Sequence, residues 1–421
     1  MSFISFCLEN GNLIMIEKAK CLTNIGELVS YDSQQQSMVV LHDVEMVFSR
    51  KGIEALGKDL LSSELEVIDA GGGLVTPGFV DAHTHPVFNE TRELEFEMRV
   101  MGKSYQEIAA AGGGIRASVR SLQSVKYPDL KSKVKQRLVD FLSYGTTTIE
   151  AKSGYGLTTA GELLSLQLLK ELADDHPLDI SRTFLGAHDY PDEYRHNHEA
   201  YLDLLVREML PKVVDEGLAE FCDVFCEAGV FSVEESRRVL ETAKSLGLGL
   251  RIHADEFKPI GGVQLAMELG AISADHLTVI TDEGVDALVA GQIVPILLPA
   301  TTFFLGSEQY APARKMWDKG LPVAIATDFN PGSCMTQSMP LVITLACLKL
   351  HLAPLEALQA ATINAARSLK VEQRLGSLES GKQADFVIWK FDRYQGIPYY
   401  LGYSAVKSVW KKGRNVYPET D

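Results

Sequence analysis

The sequence contains few cysteines, no long apolar run and no excess of positive charge, and each absence excludes a class of protein. The 6 cysteines among 421 residues form no C-x-x-C pair, so we expect reduced thiols rather than a disulfide framework. Apolar runs stay shorter than the roughly 18 to 20 residues that a membrane-spanning helix needs. The 40 Lys and Arg are outnumbered by 56 Asp and Glu, and the net charge of −16 argues against a nucleic acid or an acidic membrane as a partner.

What remains is the composition of an ordinary globular protein, with 46% hydrophobic and 23% charged residues. The first residues carry Glu9 and no basic stretch, so the sequence predicts no signal peptide and, with its reduced thiols, a cytoplasmic location. Cys222 and Cys226 stand close together in an apolar segment. We interpret them as buried apolar side chains rather than zinc ligands.

The middle of the chain alternates short apolar strands with amphipathic helices. About eight strands can be counted, the first ending at His83 and the last at Asp328, which predicts a (β/α)8 barrel of the TIM type. Short alternating strands at both ends of the chain predict a smaller β-sandwich domain built from both termini. We therefore divide the chain into 1–74 and 371–421, the two parts of the β-domain, and 75–370, the barrel that carries the hydrolase site.

The segment 81–85, Asp-Ala-His-Thr-His, is the strongest functional signal. It ends an apolar strand, and because side chains alternate along a strand, His83 and His85 point the same way. Two imidazoles on one face can bind one metal ion, and a bound metal can generate hydroxide from water at neutral pH. The pair therefore predicts a metal-dependent hydrolase.

Other predicted strands also end in reactive side chains, and catalytic groups of such barrels lie at these ends. A mononuclear site needs three or four ligands and an open position for water. His253 is the best third ligand and Asp328 the best carboxylate, because each ends a strand. Asp275 directly precedes His276, so we expect the two side chains to face opposite ways and assign Asp275 to the structure.

Several motifs resemble a known group of enzymes. The segments 77–85 and 381–386 are similar to the amidohydrolase superfamily. Within it, the chain closely resembles the imidazolonepropionase family of histidine degradation, which hydrolyses the ring amide of 4-imidazolone-5-propanoate to N-formimino-L-glutamate. The histidine pair marks only the superfamily, whereas the segments 152–157 and 328–332 are more specific. Further similar segments are 112–115, 184–188, 253–257 and 274–277.

The resemblance implies a set of site residues and a homodimer. One zinc or iron ion would be bound by His83, His85, His253 and Asp328, with Glu256 and His276 flanking the reacting ring. Serine at position 333 is a mild departure, because a hydroxyl residue, often threonine, is expected there. Lys152 is assigned to the loop 152–157, which contains Tyr155, and not to a carbamylated bridge between two metals. The residues implied to bind the substrate are Arg92, Tyr155, His188, Glu256, Asn330, Gly332 and Ser333.

The chemistry of a cyclic amide agrees with these residues. Its hydrolysis needs an activated water, a polarised carbonyl and a proton for the departing nitrogen. The metal and Asp328 can activate the water, His276 can orient it or stabilise the oxyanion, and Glu256 can carry the proton. The sequence leaves open which of these three side chains is the general base.

The propanoate tail of such a small anionic substrate requires a cation in this acidic protein. Arg92 follows the first barrel strand and can make bidentate carboxylate contacts. The alternative is a solvated arginine beside Glu90 and Glu93.

Two other motifs are interpreted as non-catalytic. The run 196–198, His-Asn-His, repeats the spacing of the first pair but follows no strand, so a solvated loop is expected. The glycines at 112–114 lack the Gly-Lys-Ser/Thr of a phosphate loop, and we place them in a loop near the mouth of the site, with an open role.

Two competing functions are carried forward. The main one is a related amidohydrolase that deaminates a purine or pyrimidine ring, as guanine or cytosine deaminase does, because the same ligands serve both reactions. The other is a barrel without catalytic activity that acts as a scaffold. The full set of candidate ligands at strand ends argues against the scaffold.

Overall fold

The computed structural model describes residues 5–9, 12–16, 18–103, 107–108 and 111–418. The amino-terminal part of the described chain is a series of short strands. In chain order these are β1 Ser5–Glu9, β2 Asn12–Ile16, β3 Lys20–Thr23, β4 Leu28–Asp32, β5 Ser37–Leu41, β6 Glu45–Ser49, β7 Gly52–Gly57, β8 Glu66–Asp69 and β9 Val75–Pro77.

An eight-stranded parallel sheet follows, with its strands in sequence order from β10 to β17. Its strands are buried along most of their length, as expected for a sheet that is covered by helices on the outside and filled by side chains inside. The strands are β10 Phe79–Thr84, β11 Thr146–Lys152, β12 Asp179–Ala187, β13 Phe221–Cys226, β14 Gly249–Ala254, β15 Ser273–His276, β16 Val294–Leu297 and β17 Ala324–Ile325.

The sheet closes into a barrel between its first strand and the segment after its last. Strand β17 has only two residues, so the closing bonds come from the residues that follow it. The backbone N–H of Asp328 donates to the carbonyl of His83 at 3.0 Å, and that of His85 donates to Phe329 at 2.9 Å. Thr84 and Phe329 form a parallel bridge between them. The closing bonds are therefore made by the predicted metal ligands and their neighbours.

Helices follow most barrel strands, and local signals mark their ends. Thr158 caps the helix Thr159–Asp175 by accepting a hydrogen bond from the N–H of Gly161. The described helices are Glu93–Val100, Ile115–Ser124, Tyr127–Ser143, Thr159–Asp175, His198–Leu204, Leu210–Asp215, Val233–Ser245, Gly262–Leu269, Asp282–Gly291, Pro299–Phe304, Ala313–Asp318, Met339–Lys349, Pro354–Ala360, Ile363–Ser368 and Gly396–Tyr399, with a 3₁₀ turn at Asp192–Tyr194 and a π-helical turn at Leu205–Met209. None of the helices in these ranges is long and apolar enough to span a bilayer.

The β-domain is completed by the last strands, β18 Phe386–Trp389, β19 Val406–Lys411 and β20 Arg414–Tyr417. One sheet has the order β20-β19-β18-β9-β4-β5 and the other β7-β6-β3-β8. Between them lies an apolar core in which the ring of Phe386 stacks on Trp410 at 5.4 Å and meets Phe48 edge-on at 5.1 Å. The predicted fold, a (β/α)8 barrel with a β-sandwich from both termini, is confirmed.

The chain passes from one domain to the other within a few residues. Strand β9 pairs with β18 in the six-stranded sheet, and β10, which begins at Phe79, already belongs to the barrel. The predicted divisions at 74/75 and 370/371 stay predictions.

A buried ion cluster joins the two domains at the amino-terminal end of the barrel. The ammonium of Lys411 lies 2.9 Å from Asp179, the first residue of β12, and 2.6 Å from Asp385. Lys412 contacts the other carboxylate oxygen of Asp179 at 2.7 Å. Burial alone would raise the pKa of the Asp179 carboxyl, but the two lysines hold this pKa well below its usual range.

Candidate active site

Three histidines and one aspartate converge at the carboxyl-terminal end of the barrel. His83 and His85 come from β10 and His253 from β14, and one ring nitrogen of each lies within 4.8 Å of the others. Oδ1 of Asp328 is 3.6 Å from Nε2 of His83 and 3.4 Å from Nε2 of His85. The structure therefore brings together all four side chains that the sequence analysis selected as ligands.

The protonation of these side chains suits a metal ion. Burial, together with nearby positive charge, lowers the pKa of His83 and of His85 well below the usual range, so both rings are neutral at pH 7. Nδ1 of His83 lies 2.6 Å from a carboxylate oxygen of Asp275, which can only accept, so Nε2 of His83 presents a lone pair to the cluster. Neutral imidazole nitrogens beside a carboxylate oxygen are a donor set for zinc or iron. The residues fit one such ion.

The backbone at two strand ends turns side chains toward this cluster. His276 has φ +74°, which breaks the alternation of β15. Asp275 contacts His83, and the His276 ring centroid lies 5.1 Å from that of His253. The prediction that Asp275 and His276 face opposite ways is therefore wrong. Asp275 orients a predicted ligand rather than serving only the fold.

A network of buried charges lies beneath the histidines. The Lys152 ammonium is 2.8 Å from both Glu150 and Asp223, and although burial opposes its charge, these carboxylates raise the pKa of Lys152. Asp223 lies 3.0 Å from Nδ1 of His253, and Arg251 lies 3.4 Å from Asp275. The prediction that Lys152 belongs to the loop 152–157 is therefore wrong, because Lys152 is the last residue of β11 and its side chain lies inside the barrel.

Sequence reasoning missed Asp223 and Arg251 altogether. Both interrupt strands that are otherwise apolar, and a charged residue in such a strand is rarely buried unless it is paired. That interruption was the available signal.

Glu256 and His276 lie together beside the cluster. Oε1 of Glu256 is 3.5 Å from Nδ1 of His276. Burial and then Asp328 raise the pKa of Glu256 well above its ordinary value, whereas burial lowers the pKa of His276 to about 3. The opposite directions of the two pKa shifts favour a protonated Glu256 beside a neutral His276 imidazole.

His188 and Tyr155 cover another side of the cluster. The His188 ring stacks on His85 with centroids 5.3 Å apart, and the Tyr155 ring lies 5.4 Å from that of His188. Nδ1 of His188 is 2.9 Å from the carbonyl oxygen of Gly154. Since a carbonyl only accepts, Nδ1 carries the proton, and Nε2 of His188 is left as an acceptor.

Arg92 stands at the mouth of the site, directly before the helix Glu93–Val100. It pairs with Glu95 at 2.6 Å, its side chain is only 16% exposed, and its Nε has no hydrogen-bond partner within the described ranges. A Cβ at Gly332 would lie 2.3 Å from Nη1 of Arg92, so a larger residue there would force the end of the Arg92 side chain to move. The alternative of a solvated arginine beside Glu90 and Glu93 is wrong, since its partner is Glu95.

The glycine-rich loop lies next to this arginine. Gly112 and Gly113 line a cleft of about 720 Å³ together with Arg92, Lys133 and Arg137. The loop thus lies near the mouth of the site, as expected.

Asn330 shapes the turn that follows Asp328. Its Nδ2 donates to the carbonyl of Asp328 at 2.7 Å and to Ser333 at 2.8 Å, and its Oδ1 accepts from the N–H groups of Gly332 and Ser333. The hydroxyl of Thr301, another residue that sequence reasoning missed, donates to Oδ2 of Asp328 at 2.7 Å. Oδ1 of Asp328 is thereby directed toward the histidines.

The non-catalytic motifs are also placed. Asn197 caps the helix that begins at His198, so 196–198 is not simply a loop. The His198 ring stacks on Tyr190 at 3.7 Å. Cys222 and Cys226 are both buried, as interpreted from the sequence.

Known proteins resemble this chain in sequence and in fold. The model of the amidohydrolase family matches residues 74–416. An imidazolonepropionase of Geobacillus kaustophilus is 49% identical over 84% of this chain and 83% of its own length, and one of Clostridium tetani is 42% identical over 98% and 100%. Among solved structures, E. coli guanine deaminase has a TM-score of 0.74 at 16% identity, covering 96% of this chain and 100% of the other. An adenosine deaminase from Xanthomonas campestris with bound zinc has a TM-score of 0.72 at 18% identity, covering 94% and 92%. At such identities the deaminases show the fold alone.

Proposed function

The chain belongs to the amidohydrolase family and, within it, to the imidazolonepropionases, and from this premise we propose how its residues carry out the reaction. It is a hydrolase that acts on a cyclic amide, converting 4-imidazolone-5-propanoate to N-formimino-L-glutamate. Ring deamination is not favoured, because the likeness to guanine deaminase reaches only 16% identity. The residue assignment rests on the histidine cluster together with Arg92, a partly buried arginine whose guanidinium packs against Gly332 in the turn that follows Asp328.

We assign His83, His85, His253 and Asp328 to one zinc or iron ion. When bound, the ion supplies a Lewis acid for the carbonyl and lowers the pKa of water. Asp275 supports this arrangement by holding the Nδ1 proton of His83.

Asp328 acts as the base that takes a proton from the attacking water. Thr301 occupies its Oδ2, which leaves Oδ1 free to face the site. The water oxygen bonds to the ring carbonyl carbon, and His276 donates to the oxyanion or orients the water. When the C–N bond breaks, Glu256 delivers a proton to the departing nitrogen. The water proton taken by Asp328 then replaces the one that Glu256 gave up, and the proton of the new carboxyl group is released to solvent, which leaves the carboxylate of the product.

The substrate is oriented by groups on two sides. Nε2 of His188 accepts a ring N–H, and the hydroxyl of Tyr155 lies on the same side. Arg92 binds the propanoate carboxylate through guanidinium edges that Glu95 does not occupy. Asn330, Gly332 and Ser333 line the substrate in a turn whose shape depends on the N–H groups of Gly332 and Ser333, which both donate to Oδ1 of Asn330.

A cytoplasmic homodimer without nucleic-acid or membrane partners completes the proposal. The net charge of −16 supports the absence of such partners. The helix Glu93–Val100 has no buried side chain, and its Leu94 and Val100 are 72% and 70% exposed, which suits contact with another protein surface. Sedimentation velocity measures this state, and a monomer at micromolar concentration would contradict the dimer.

The decisive experiment is a spectrophotometric assay of imidazolone propanoate loss with and without a chelator. We expect turnover that the chelator abolishes and that zinc or iron restores, with formiminoglutamate as product and no free ammonia. Guanine and cytosine serve as control substrates. Ammonia release from either, without turnover of imidazolone propanoate, would favour the deaminase, and absence of bound metal would favour the scaffold.

A further inference from the structure

A fully buried carboxylate holds the turn that carries Tyr155. Glu162 lies in the first turn of the helix Thr159–Asp175, and its side chain is not exposed. One of its oxygens accepts the N–H of Gly154 at 3.0 Å. The other accepts the N–H groups of Gly156 at 2.9 Å and of Leu157 at 2.8 Å. Three backbone donors thus converge on one carboxylate.

The same turn fixes the ring of His188. Gly154, whose N–H is held by Glu162, offers its carbonyl to Nδ1 of His188 at 2.9 Å. Gly154 has φ +111°, and a Cβ there would lie 2.9 Å from Nδ1 of His188. The position of this carbonyl therefore depends on a backbone shape that is unusual for other residues and is held by Glu162.

We propose that Glu162 is a positioning residue for substrate binding: by holding the turn 153–157, it keeps the Gly154 carbonyl on His188 and so leaves Nε2 of His188 as an acceptor. The consequence for specificity is that this side of the site selects a ring that presents an N–H and disfavours one that presents a bare nitrogen. The specificity part rests on the proposed function, whereas the effect on His188 does not.

A carboxylate suits this position because the three backbone groups that face its oxygens are N–H donors, and the Ser153 hydroxyl, which also bonds to it, can donate as well. An ionised carboxylate only accepts, whereas glutamine would turn an NH₂ group toward at least one backbone N–H. That N–H would be left buried without an acceptor, and the turn would shift to relieve it.

The test compares Glu162→Gln with Glu45→Gln. Glu45 also accepts two backbone N–H groups, those of Leu60 and Leu61, but it lies in the β-domain. For Glu162→Gln we expect KM for imidazolone propanoate to rise about tenfold or more, with kcat changed less and metal content unchanged. Glu162→Asp, which retains the carboxylate, should recover part of the loss. Glu45→Gln should leave both constants unchanged.

A second readout does not depend on the substrate. In zinc-loaded enzyme labelled with nitrogen-15 histidine, the signals of His188, identified by their loss in His188→Gln, report which ring nitrogen carries the proton. We expect protonated Nδ1 in the wild type and in Glu45→Gln, and a shift toward mixed tautomers in Glu162→Gln.

The outcomes separate the two claims. Unchanged KM together with unchanged His188 signals in Glu162→Gln would overturn the role of Glu162, and so would equal losses in kcat and metal content without a KM change. If the wild type does not turn over imidazolone propanoate but the His188 signals still shift, the proposed function fails while the positioning role stands. If Glu162→Gln does not fold, Glu162→Asp carries the test: its shorter side chain cannot reach all three N–H groups, so KM and the His188 signals should both change in part, and no change in either would overturn the proposal.

Discussion

The two ends of the barrel both contain buried charged or titratable side chains, but they use them differently. At the amino-terminal end, Asp179 and Asp385 each face a lysine of the β-domain, and the charges neutralise one another. At the carboxyl-terminal end, Nδ1 of His85 and Nε of Arg92 have no hydrogen-bond partner in the described part of the chain. Because buried polar groups are normally paired, we interpret the charges at the amino-terminal end as structural and the unpaired atoms at the carboxyl-terminal end as part of a ligand site.

The largest effect is expected from removing a histidine of the cluster. His83→Ala should abolish metal binding and lower kcat/KM by more than about a thousandfold, because metal activation of water contributes several kcal/mol. His196→Ala is the matched control, since this exposed histidine belongs to the other His-x-His motif. Metal analysis and the substrate assay measure both variants. Full metal content in His83→Ala would remove it from the ligand set.

Replacing Glu256, the proposed proton donor, tests the carboxyl-terminal end of the barrel without changing the proposed metal ligands. Glu256→Gln should retain metal but lower kcat about a hundredfold to ten-thousandfold, the usual range for a general acid or base. Steady-state kinetics on the metal-loaded variant measure this, with the exposed Glu193→Gln as control. Near-normal turnover would show that another group moves the proton.

Arg92 tests whether the guanidinium nitrogens that Glu95 leaves unoccupied bind a carboxylate. Arg92→Ala should raise KM about tenfold to a hundredfold and leave the metal content unchanged, because a hydrogen-bonded charge contact is lost. Arg207→Ala, at a position 75% exposed, is the control. An unchanged KM in Arg92→Ala would contradict the proposal that Arg92 binds the substrate carboxylate.

The smallest effect on catalysis, and a clear effect on stability, is expected at the amino-terminal end. Asp179→Asn should lower the free energy of unfolding by about 1–3 kcal/mol, because Lys411 loses a buried partner, while KM and kcat stay constant. Urea denaturation measures this, and an activity loss would mean that the two ends are coupled.

The difference in unfolding free energy between the wild type and Asp179→Asn should depend on pH, because the pKa of Asp179 is depressed. In the unfolded chain the carboxyl titrates near about 4, whereas in the folded protein it stays ionised to lower pH. Its stabilisation is therefore fully present above about pH 4 to 5 and is lost as the pH falls through the folded pKa. The urea midpoints of wild type and Asp179→Asn should converge only in acid. Convergence near neutral pH would contradict the ion cluster as the cause.

The sequence predicted what depends on local pattern. Strand periodicity located the barrel, and a position at a strand end selected His253 and Asp328. It could not predict that Asp275 and His276 approach the same cluster, because a positive φ at one residue overrides the alternation. Glu162 was hidden for a different reason. Its partners are backbone N–H groups, which no side-chain pattern records.

Contacts between side chains of different barrel elements could not be predicted from the sequence either. Asp223 of β13 meets His253 of the adjacent strand β14, and inside the barrel it also meets Lys152 of β11, which is separated from it by β12. Thr301 reaches Asp328 from a helix earlier in the chain. Such pairings depend on the stagger of the barrel strands, a global property of the closed sheet.

The hydrogen bonds that close the barrel join a segment that is synthesised early to one that is synthesised late. His83 leaves the ribosome early and Asp328 late, yet the backbone of each bonds to the other across the last gap in the sheet. A nascent chain that stops short of Asp328 therefore has neither a closed barrel nor the carboxylate proposed as the fourth ligand. The complete set of four proposed ligands is therefore present only after the chain has been synthesised through Asp328, and it is held together by the same bonds that close the barrel.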